Sequence, residues 1–398
     1  MTEPSISPIH GRPLHASGRS PLSSIELFAG GGGLALGVTA AGFAHECMVE
    51  WNRHAAKTLE TNRAAFSLKE NSTAGLIAGD IHQVDFRPYE DKVDLLSGGP
   101  PCQPFSVGGK AQAYNDKRDL FSEATRALRQ VRPRAFLFEN VRGLLRKGFA
   151  KYFEYILLQL TYPDLMRKDG EAWQDHLVRI ERHHTDSART DGLRYNVIFR
   201  LVNAADYGIP QKRERVFIIG FRSDVAARYA FPQPTHSKEA LHYEKFVSGS
   251  YWRRHGLPQP AKEAGAQLCA NFDKKPWVTL RDALKGLPSP LACNGVPNHT
   301  YQGGARAYVG HTGSLLDEPS KTIKAGAHGV PGGENMFLDD SGQTRYFTVR
   351  EAARIQTFPD DYAFPCAWSE AMRQIGNAVP VGLATVVAQS IHTTLRTA

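Results

Sequence analysis

One short apolar segment that runs straight into four consecutive glycines constrains the fold of this chain more than any other feature. Residues 24–28 are predicted to form a buried strand, residues 29–33 a tight turn, and residues 34–41 a helix. A second predicted strand ends in Glu50, which lies twenty residues beyond Gly30. A glycine turn lets a ligand approach the backbone, and an acid at this distance accepts hydrogen bonds from ribose hydroxyls. The pattern therefore favours a nucleotide-type cofactor site.

The glycine turn differs from two common phosphate-binding sequences. Gly-x-Gly-x-x-Gly is not satisfied anywhere between Gly30 and Gly37, and no Gly-x-x-x-x-Gly-Lys-Ser/Thr segment occurs in the chain. The turn therefore favours a nucleoside cofactor that carries no diphosphate. The alternative is a glycine turn that only packs the helix against the strand.

Predicted strands and helices alternate further along the chain, which indicates a doubly wound, mostly parallel sheet of the Rossmann-like α/β class. Residues 92–97 and 135–138 are predicted strands, and residues 120–131 have the apolar spacing of a helix between them. Residues 196–202 and 216–221 are β-rich and are expected to close the sheet as a hairpin. Ligands of such sheets bind beyond the carboxyl ends of the strands. Five side chains fall at or near predicted strand ends: Glu26, Glu50, Asp80, Cys102 and Glu139.

The length of 398 residues and a change in sequence texture predict two domains after a flexible N-terminal tail. The tail comprises residues 1–23, and the catalytic, cofactor-binding domain comprises residues 24–221 together with 345–398. Residues 222–344 are rich in Pro, Gly, His and aromatic residues and lack clear periodicity, so they are expected to form a smaller, irregular, β-rich domain. Residues 156–193 are a largely charged insertion.

Composition predicts a water-soluble protein, and its net charge favours a polyanionic partner, although many basic proteins bind none. Hydrophobic residues make up 41% and the formal net charge is +8, while no run of about eighteen apolar residues predicts a membrane span. Five cysteines without a Cys-x-x-Cys pair argue against a disulfide framework and against a structural zinc site. Basic residues concentrate between Arg126 and Lys151, where a solvated helix face is the alternative to a phosphate-binding surface.

Cys102 is the sharpest chemical signal in the sequence. Three nearby prolines force a rigid loop around it at the end of a predicted strand, where a side chain meets the ligand crevice. A free thiol has a pKa of roughly 8.5, so a nucleophilic cysteine needs positive neighbours, and Arg213 and Arg215 are candidates. The alternatives are a small buried cysteine and an ordinary charged hairpin edge.

Glu139 directly follows three apolar residues, so its carboxyl group is expected to begin in an apolar setting. Such a setting would raise its pKa and let it donate or share a proton. A buried acid that only caps a helix is the alternative. A cysteine nucleophile, an acid and a nucleoside cofactor together form one consistent catalytic set.

The motifs of the chain resemble those of the DNA (cytosine-5) methyltransferase family of the bacterial restriction-modification type. The resemblance covers residues 24–382 except for the insertion and the irregular domain, and eight signatures follow one another in the family's order. They are Leu27-Phe28-Ala29-Gly30-Gly31-Gly32; Glu50-Trp51; Gly79-Asp80-Ile81; Gly98-Gly99-Pro100-Pro101-Cys102-Gln103-Pro104-Phe105-Ser106; Glu139-Asn140-Val141; Gln211-Lys212-Arg213-Glu214-Arg215; Arg350-Glu351-Ala352-Ala353-Arg354-Ile355-Gln356-Thr357-Phe358-Pro359; and Gly376-Asn377-Ala378-Val379-Pro380.

The resemblance implies that S-adenosylmethionine is the cofactor and that double-stranded DNA is the substrate. It also implies a possible cognate restriction endonuclease that acts on the same DNA site. Glu26 stands where the family commonly has Asp, so it is assigned no definite contact. The implied site residues are Cys102, Glu139, Arg213 and Arg215 for catalysis; Phe28, Ala29, Gly30, Gly32, Gly33, Leu34, Glu50, Trp51, Asp80, Ile81, Pro100, Asn377 and Ala378 for the cofactor; and Gln103, Ser106, Gln211 and Thr322 for DNA.

The implied reaction starts with addition of the Cys102 thiolate to carbon 6 of cytosine, because carbon 5 alone is a weak nucleophile. Glu139 would stabilise the charge on the ring through nitrogen 3 and the exocyclic amine. The target base has to leave the duplex, and residues 105–115 are a candidate lid over it. Residues 222–344 become the target-recognition region, in which Thr322-Ile323 matches the pair that ends this region in the family.

Three alternatives remain open at this point. A nicotinamide-dependent oxidoreductase shares the sheet and Glu50 but does not require Pro-Pro-Cys, and a catalytically silent DNA-binding module has no use for Cys102 and Glu139 together. A tRNA cytosine-5 methyltransferase would use the same pocket, although the size of the irregular domain favours duplex DNA. The chain is expected to be a monomer in the bacterial cytosol, with no membrane partner.

Overall fold

The computed structural model describes residues 20–68, 75–101, 120–186, 192–226, 228–260, 273–292, 295–309, 312–325 and 335–398, and the structural statements below concern these residues. They belong to two compact units, each described by itself. The sheet unit contains the described residues of Gly11–Val202, Glu214–Phe231 and Val387–Ala398. The mixed unit, named for its short helices and strands, contains those of Asn203–Arg213 and Pro232–Val386.

A seven-stranded sheet forms the centre of the sheet unit. Its strands are β1 (Leu22–Leu27), β2 (Phe43–Glu50), β3 (Gly75–Ala78), β4 (Leu95–Gly98), β5 (Ala135–Val141), β6 (Tyr195–Asn203) and β7 (Glu214–Arg222). The strand order is β3-β2-β1-β4-β5-β7-β6. Strands β1 to β5 are parallel and β7 is antiparallel to β5. The predicted doubly wound, mostly parallel sheet is confirmed, and its strand order reverses between β1 and β4.

Helices of the sheet unit follow the strands as the apolar spacing predicts. They are α1 (Gly33–Ala40), α2 (Arg53–Thr61), α3 (Phe121–Val131), α4 (Ala150–Thr161) and α5 (Trp173–Thr185). In α3, Phe121, Ala124 and Leu128 are buried at helical spacing, so one face of the helix lies in the core. The side chain of Asn52 caps α2 by accepting hydrogen bonds from two backbone N–H groups of its first turn.

Strand β5 is anchored by two phenylalanines in the core. Phe136 and Phe138 have no exposed surface, and their ring centroids lie 5.1 Å apart. Burial of each ring contributes about 2–3 kcal/mol to folding, so the strand is held firmly. Side chains alternate along a strand, which places Glu139 on the face opposite to these rings. The core thus fixes the backbone that carries Glu139.

The mixed unit is irregular, as expected for the second domain, but its described residues contain more helix than strand, so the expected β-rich character is not found there. Its strands β8 (His236–Ser237) and β9 (Lys275–Pro276) pair with each other, and β10 (Ser314–Leu315), β11 (Met336–Leu338) and β12 (Thr344–Tyr346) form a small sheet. Its helices are α6 (Lys238–His242), α7 (Ser250–His255), α8 (Leu280–Leu284), α9 (Val349–Ile355) and α10 (Trp368–Asn377). The last helix, α11 (Val381–Thr397), begins in this unit and ends in the sheet unit.

The two units divide the chain differently from the predicted domains. Residues 345–386, predicted as part of the catalytic domain, belong to the mixed unit, and so does Asn203–Arg213. One physical reason is Arg350, which has no exposed surface and donates hydrogen bonds to the backbone oxygens of Pro297 and Tyr362 at 3.2 and 2.8 Å. A buried guanidinium needs such acceptors, and they attach α9 to the mixed unit.

The predicted tail and insertion also differ in detail from the structure. Strand β1 begins at Leu22, so the last two residues of the predicted tail belong to the sheet, while residues 1–19 lie outside the described residues. The predicted insertion contains the second half of α4 and all of α5. Tyr155 and Tyr162 pack there with Leu177 and Ile180, which gives the segment a small apolar core of its own.

One helical stretch in the described part of the chain, Trp368–Thr397, is long and apolar enough to cross a membrane by length and composition alone. Of its most apolar window, 61% is buried inside the protein. Pro380 separates α10 from α11 within this stretch. Burial of this kind is found in core helices, so the stretch is weak evidence for a membrane segment.

Candidate active site

Parallel strands place their carboxyl ends along one edge of the sheet, and half of the predicted site lies at this edge. Phe28 follows β1, Glu50 ends β2, and Glu139 lies in β5 two residues before the strand ends at Val141. Because β1, β2, β4 and β5 are parallel neighbours, these positions meet where ligands of doubly wound sheets bind. The structure thus brings together the predicted residues that belong to the sheet unit.

The glycine turn after β1 has a backbone conformation that residues other than glycine rarely adopt. The φ angle is +55° at Gly30 and +84° at Gly32, and it is +54° at the bulky residue Phe28. A non-glycine residue in this region costs on the order of 1–3 kcal/mol, and such strain is concentrated at binding sites. Helix α1 begins at Gly33, and no side chain caps it at Gly32. At the glycine turn, backbone atoms rather than side chains therefore form the surface of the site.

Glu50 fixes the glycine turn to the end of β2. Its Oε2 accepts a hydrogen bond from the Gly30 N–H at 2.7 Å, and its Oε1 accepts one from the Asn52 N–H at 2.7 Å. Glu50 is buried, so the carboxylate is held in one position. Sequence reasoning found Glu50 through its spacing from the glycines but missed that the same carboxylate shapes the turn.

The residues after β2 and β3 combine an exposed ring with a charged group. Trp51 is 79% exposed, which is unusual for a tryptophan, whereas Ile81 is buried. Asp80 Oδ1 accepts a hydrogen bond from the His82 N–H at 3.0 Å and lies 2.7 Å from His82 Nδ1. The hydrogen bond with the His82 ring lowers the pKa of Asp80, so its carboxylate is ionised at neutral pH.

The described residues on either side of the segment that carries Cys102 are held in place. A β-carbon at Gly98 would lie 2.6 Å from the Leu27 backbone oxygen, so this approach of β4 to β1 requires glycine. Asn140 Nδ2 donates to the Pro100 oxygen at 3.1 Å, and the Leu120 N–H donates to the Pro101 oxygen at 3.4 Å. Sequence reasoning missed this contact of Asn140, although the residue stands inside the Glu139-Asn140-Val141 signature.

Part of the predicted site lies outside the described residues, which omit 102–119. This part comprises the nucleophile, two predicted DNA contacts and the predicted lid at 105–115. Their assignment stays a prediction from the sequence: Cys102, Gln103 and Ser106.

Glu139 and Arg215 form a buried ion pair between β5 and β7. The Glu139 Oε1 and Arg215 Nε atoms lie 2.8 Å apart, and the two side chains are 9% and 12% exposed. Burial lowers the pKa of the Arg215 guanidinium, and the facing carboxylate opposes that effect. A β-carbon at Gly99 would lie 3.4 Å from Glu139 Oε2, so the carboxylate also lies close to the described residues just before Cys102. The arrangement can hold and orient a polar ring next to those residues.

Glu26 also has a definite partner, although the sequence assigned it none. It is buried in β1 and accepts a hydrogen bond from the Ser97 hydroxyl of β4. Burial raises the pKa of Glu26 to about 8, and the hydrogen bond from Ser97 acts weakly in the opposite direction. The folded protein therefore keeps a proton on Glu26 at neutral pH, just before the glycine turn.

This proton predicts how stability depends on pH. The unfolded chain releases it near the usual carboxyl pKa of 4.5, whereas the folded chain releases it near 8, so the free energy of unfolding falls as pH rises between these values. In a Glu26→Gln protein we expect this fall to be smaller by up to about 5 kcal/mol. Urea unfolding at pH 5 and at pH 8.5 measures it, with the exposed Glu90→Gln as control. Equal pH dependence in wild type and Glu26→Gln would contradict the assignment.

The remaining predicted residues belong to the mixed unit and are held by its backbone. Arg213 has no exposed surface, and its guanidinium donates to the backbone oxygens of Ile323, Gly376 and Ala378 at 3.0, 2.7 and 2.9 Å. Through these contacts Arg213 holds the backbone of its own unit in place. Asn377, between the last two acceptors, is exposed.

Gln211 and Thr322, the two predicted DNA contacts of this unit, have different surroundings. Gln211 is fully buried and its Nε2 donates to Gln356 Oε1 at 2.9 Å. Its Oε1 accepts from the Ile323 N–H at 3.1 Å, so the whole amide is engaged within the unit. The hydroxyl of Thr322 donates to the Lys212 oxygen at 2.7 Å. These contacts show local packing, and the assignment of both residues to DNA stays a prediction.

A family model described as C-5 cytosine-specific DNA methylase matches residues 22–162 and 183–393 of the chain. The unmatched segment lies inside the predicted insertion. Type II methyltransferase M.Eco47II of Escherichia coli is 34% identical over 374 residues, which cover 92% of this chain and 78% of the relative. Type II methyltransferase M.PspPI of Psychrobacter sp. (strain TA137) is 32% identical over 371 residues, which cover 93% and 78%.

Solved structures show the same fold at lower sequence identity. A putative DNA modification methyltransferase encoded within an E. coli prophage superposes with a TM-score of 0.57 at 20% identity and covers 94% of this chain and 99% of its own. The S. pombe Dnmt2 methyltransferase has a TM-score of 0.54 at 17% identity, with the same coverage. Among the alternatives from the sequence, these similarities leave the oxidoreductase and the silent binding module without support.

Proposed function

Because the chain belongs to the C-5 cytosine-specific DNA methylase family and is therefore a DNA cytosine-5 methyltransferase, we propose that it acts through a transient covalent bond between Cys102 and a cytosine that has left the duplex. The observation that carries this proposal is the buried Glu139–Arg215 pair beside Gly99. It provides a polar, solvent-poor site at the start of the loop that leads to Cys102. A polar ring bound there would lie within reach of that loop.

Cys102 is the nucleophile in this proposal. Its thiolate adds to carbon 6 of cytosine, a sulfur–carbon bond forms, and the electron pair of the 5,6 double bond moves to carbon 5. S-adenosylmethionine supplies the electrophilic methyl group that carbon 5 needs. A base such as water then removes the carbon 5 proton, the double bond forms again, and the Cys102 thiolate leaves.

Glu139 stabilises the charge that develops on the ring. One carboxyl oxygen hydrogen-bonds or donates a proton to nitrogen 3, and the other accepts from the exocyclic amine. Thymine lacks this amine and presents a proton at nitrogen 3, so the same contacts reject it. Arg215 keeps the Glu139 carboxyl group oriented through the 2.8 Å contact. Each such oriented acid contributes about 10²- to 10⁴-fold to a rate.

The sheet edge fits a nucleoside cofactor such as S-adenosylmethionine. The strained glycine turn exposes backbone, Glu50 is a fixed carboxylate, and the exposed Trp51 ring and ionised Asp80 suit a flat, polar base. We assign Glu50 to the ribose, and Trp51, Asp80 and Ile81 to the adenine. The remaining cofactor contacts we propose are Phe28, Ala29, Gly30, Gly32, Gly33, Leu34, Pro100, Asn377 and Ala378.

The mixed unit is proposed to recognise the DNA sequence around the target cytosine. Its irregular loops suit contacts to base edges, and Gln211 and Thr322 would act within it, with Gln103 and Ser106 on the Cys102 loop. Arg213 is proposed as a positioning residue, because its guanidinium donates hydrogen bonds to three backbone oxygens. A cognate restriction endonuclease, a monomeric state and a cytosolic location belong to the same proposal.

A trapping experiment tests the covalent step. Duplex DNA that contains 5-fluorocytosine at the methylated position should form an adduct that survives denaturing electrophoresis, because fluorine cannot leave carbon 5 as a proton does. Bisulfite sequencing of DNA from a host that expresses the chain identifies this position beforehand, and bisulfite sequencing of tRNA from the same cells tests the tRNA alternative. Methylation of DNA without any adduct would overturn the addition–elimination scheme.

A further inference from the structure

The basic segment between Arg126 and Lys151 divides into two parts with different surroundings. In the first part, the arginine side chains form hydrogen bonds and ion pairs with other residues of the sheet unit. Arg126 Nη2 donates to the Ile81 oxygen at 2.7 Å, and Arg134 Nη1 donates to Asp94 Oδ1 at 3.1 Å. The other two arginines there, Arg129 and Arg132, contact Pro163 and Asp91. Arg126, Arg129 and Arg134 are therefore engaged within the sheet unit. Arg132 has a looser pair that is open to water, but it precedes β5 and so lies at the end of that strand opposite to Glu139.

The second part is exposed on the connection between β5 and α4. Two short 3₁₀ turns, Arg142–Leu145 and Lys147–Phe149, form this connection. Leu144 has no exposed surface and anchors it to the core, whereas the side chains of Arg142, Arg146 and Lys147 face solvent. We call these three basic residues the basic turn. Within the described part of the chain, neither Arg146 nor Lys147 has an ion-pair partner.

One acid faces the basic turn. Glu214 Oε2 lies 2.5 Å from Arg142 Nη1, and the two side chains are 42% and 67% exposed. An ion pair this open to water contributes little to stability, so Arg142 can exchange Glu214 for another anion at small cost. Glu214 directly precedes Arg215, which links the exchangeable pair to the buried pair at Glu139.

The position of the basic turn on the sheet indicates which ligand it binds. Arg142 lies three residues beyond Glu139, at the carboxyl end of β5, where parallel neighbours β1 and β4 also end. A cytosine bound at Glu139 remains attached to its sugar and to two flanking phosphates. We infer that the basic turn binds phosphates of the DNA strand that carries the target cytosine, an inference that rests on the proposed function of Glu139. A mobile, exposed cation next to a charged backbone is the usual form of such contacts.

The test compares two pairs of neutral substitutions on the sheet unit. The Arg146→Gln/Lys147→Gln protein loses two charges of the basic turn, and the Lys168→Gln/Arg182→Gln protein loses two exposed charges near α5. Methyl transfer from labelled S-adenosylmethionine to unmethylated plasmid DNA is measured at about 50 to 200 mM salt. In this range phosphate contacts dominate the affinity for DNA. We expect the first variant to raise KM for DNA roughly 30-fold at 0.15 M salt and to leave kcat unchanged.

The dependence on salt identifies the contacts as phosphate contacts. The slope of log KM against log salt should fall by about 2 in the Arg146→Gln/Lys147→Gln protein and stay unchanged in the control pair. Glu214→Gln should act in the opposite direction, since it frees Arg142, and lower KM several-fold. The substituted side chains, Arg146 and Lys147, are both exposed, so thermal unfolding of this variant should match that of wild type.

Two outcomes separate failure of this inference from failure of the proposed function. If wild type methylates plasmid DNA while both double variants have the same KM and salt slope, the basic turn does not contact phosphates. If wild type transfers no methyl groups, the proposed function fails, and fluorescence anisotropy with a mixed-sequence duplex still decides the matter. Equal duplex affinity of wild type and Arg146→Gln/Lys147→Gln in that assay would also overturn the inference.

Discussion

A Cys102→Ser protein should bind S-adenosylmethionine as wild type does and transfer no measurable methyl groups to DNA. A serine hydroxyl is far less nucleophilic than a thiolate at neutral pH, so carbon 5 would stay unactivated. Loss of a nucleophile lowers the rate by at least about 10⁴-fold. Calorimetric titration measures cofactor binding, and incorporation of labelled methyl groups into DNA measures the rate.

Cys366→Ser is the matched control for this experiment, because Cys366 is a described cysteine of the mixed unit that belongs to none of the proposed sites. It should methylate DNA at the wild-type rate. Normal turnover by the Cys102→Ser protein would remove the nucleophile from the proposal. Loss of cofactor binding together with activity would instead indicate that the substitution disturbs the loop after Pro101.

Glu139→Gln should retain cofactor and DNA binding and lose methyl transfer by about 10²- to 10⁴-fold. Glutamine has nearly the same shape, but it cannot carry the proton for ring nitrogen 3, and it leaves Arg215 without its counter-ion at 2.8 Å. Single-turnover methylation with saturating cofactor and DNA measures the chemical step. Thermal unfolding reports how much of the effect comes from the unpaired, buried guanidinium, for which a loss of about 3–5 kcal/mol is typical.

Arg215→Gln completes the comparison for the buried pair. If Glu139 acts on the ring and Arg215 only orients it, Arg215→Gln should reduce the rate less than Glu139→Gln does, and the double variant should resemble Glu139→Gln alone. Full activity of Glu139→Gln would mean that another group stabilises the ring. The exposed Glu90→Gln serves as the control for a change of one carboxyl group.

The parts of the fold that depend on local sequence were predictable. The strand, glycine turn and helix after Ser24 need only neighbouring residues, and β1 and α1 confirm them. The same holds for α3, whose apolar residues repeat at helical spacing. The position of Glu50 beside the glycine turn could be inferred from the sequence, because its spacing from Gly30 reflects two adjacent parallel strands.

Features that depend on contacts between distant segments were not predictable from local patterns. Arg350 contacts Pro297 across 53 residues and thereby helps to place α9 in the mixed unit. Distant contacts also decide which residues of the basic segment are engaged and which are exposed. The Ile81 oxygen, which accepts from Arg126, lies 45 residues away from it in the sequence. No periodicity of the sequence records such pairs, so neither the boundary of the units nor the exposed part of the segment could be deduced.

The alternation of the chain between the two units also limits how the protein can be made. The Val387–Ala398 segment of the sheet unit is synthesised after the mixed-unit segment that ends at Val386. Arg134 Nη2 donates to the Leu395 oxygen at 3.0 Å, so this contact of the sheet unit can form only after the mixed-unit segment has been synthesised. Domains usually fold in order of synthesis. Here the nascent sheet unit stays incomplete until Val387–Ala398 has been synthesised, and a single cut between the two units leaves the sheet unit without one of its segments.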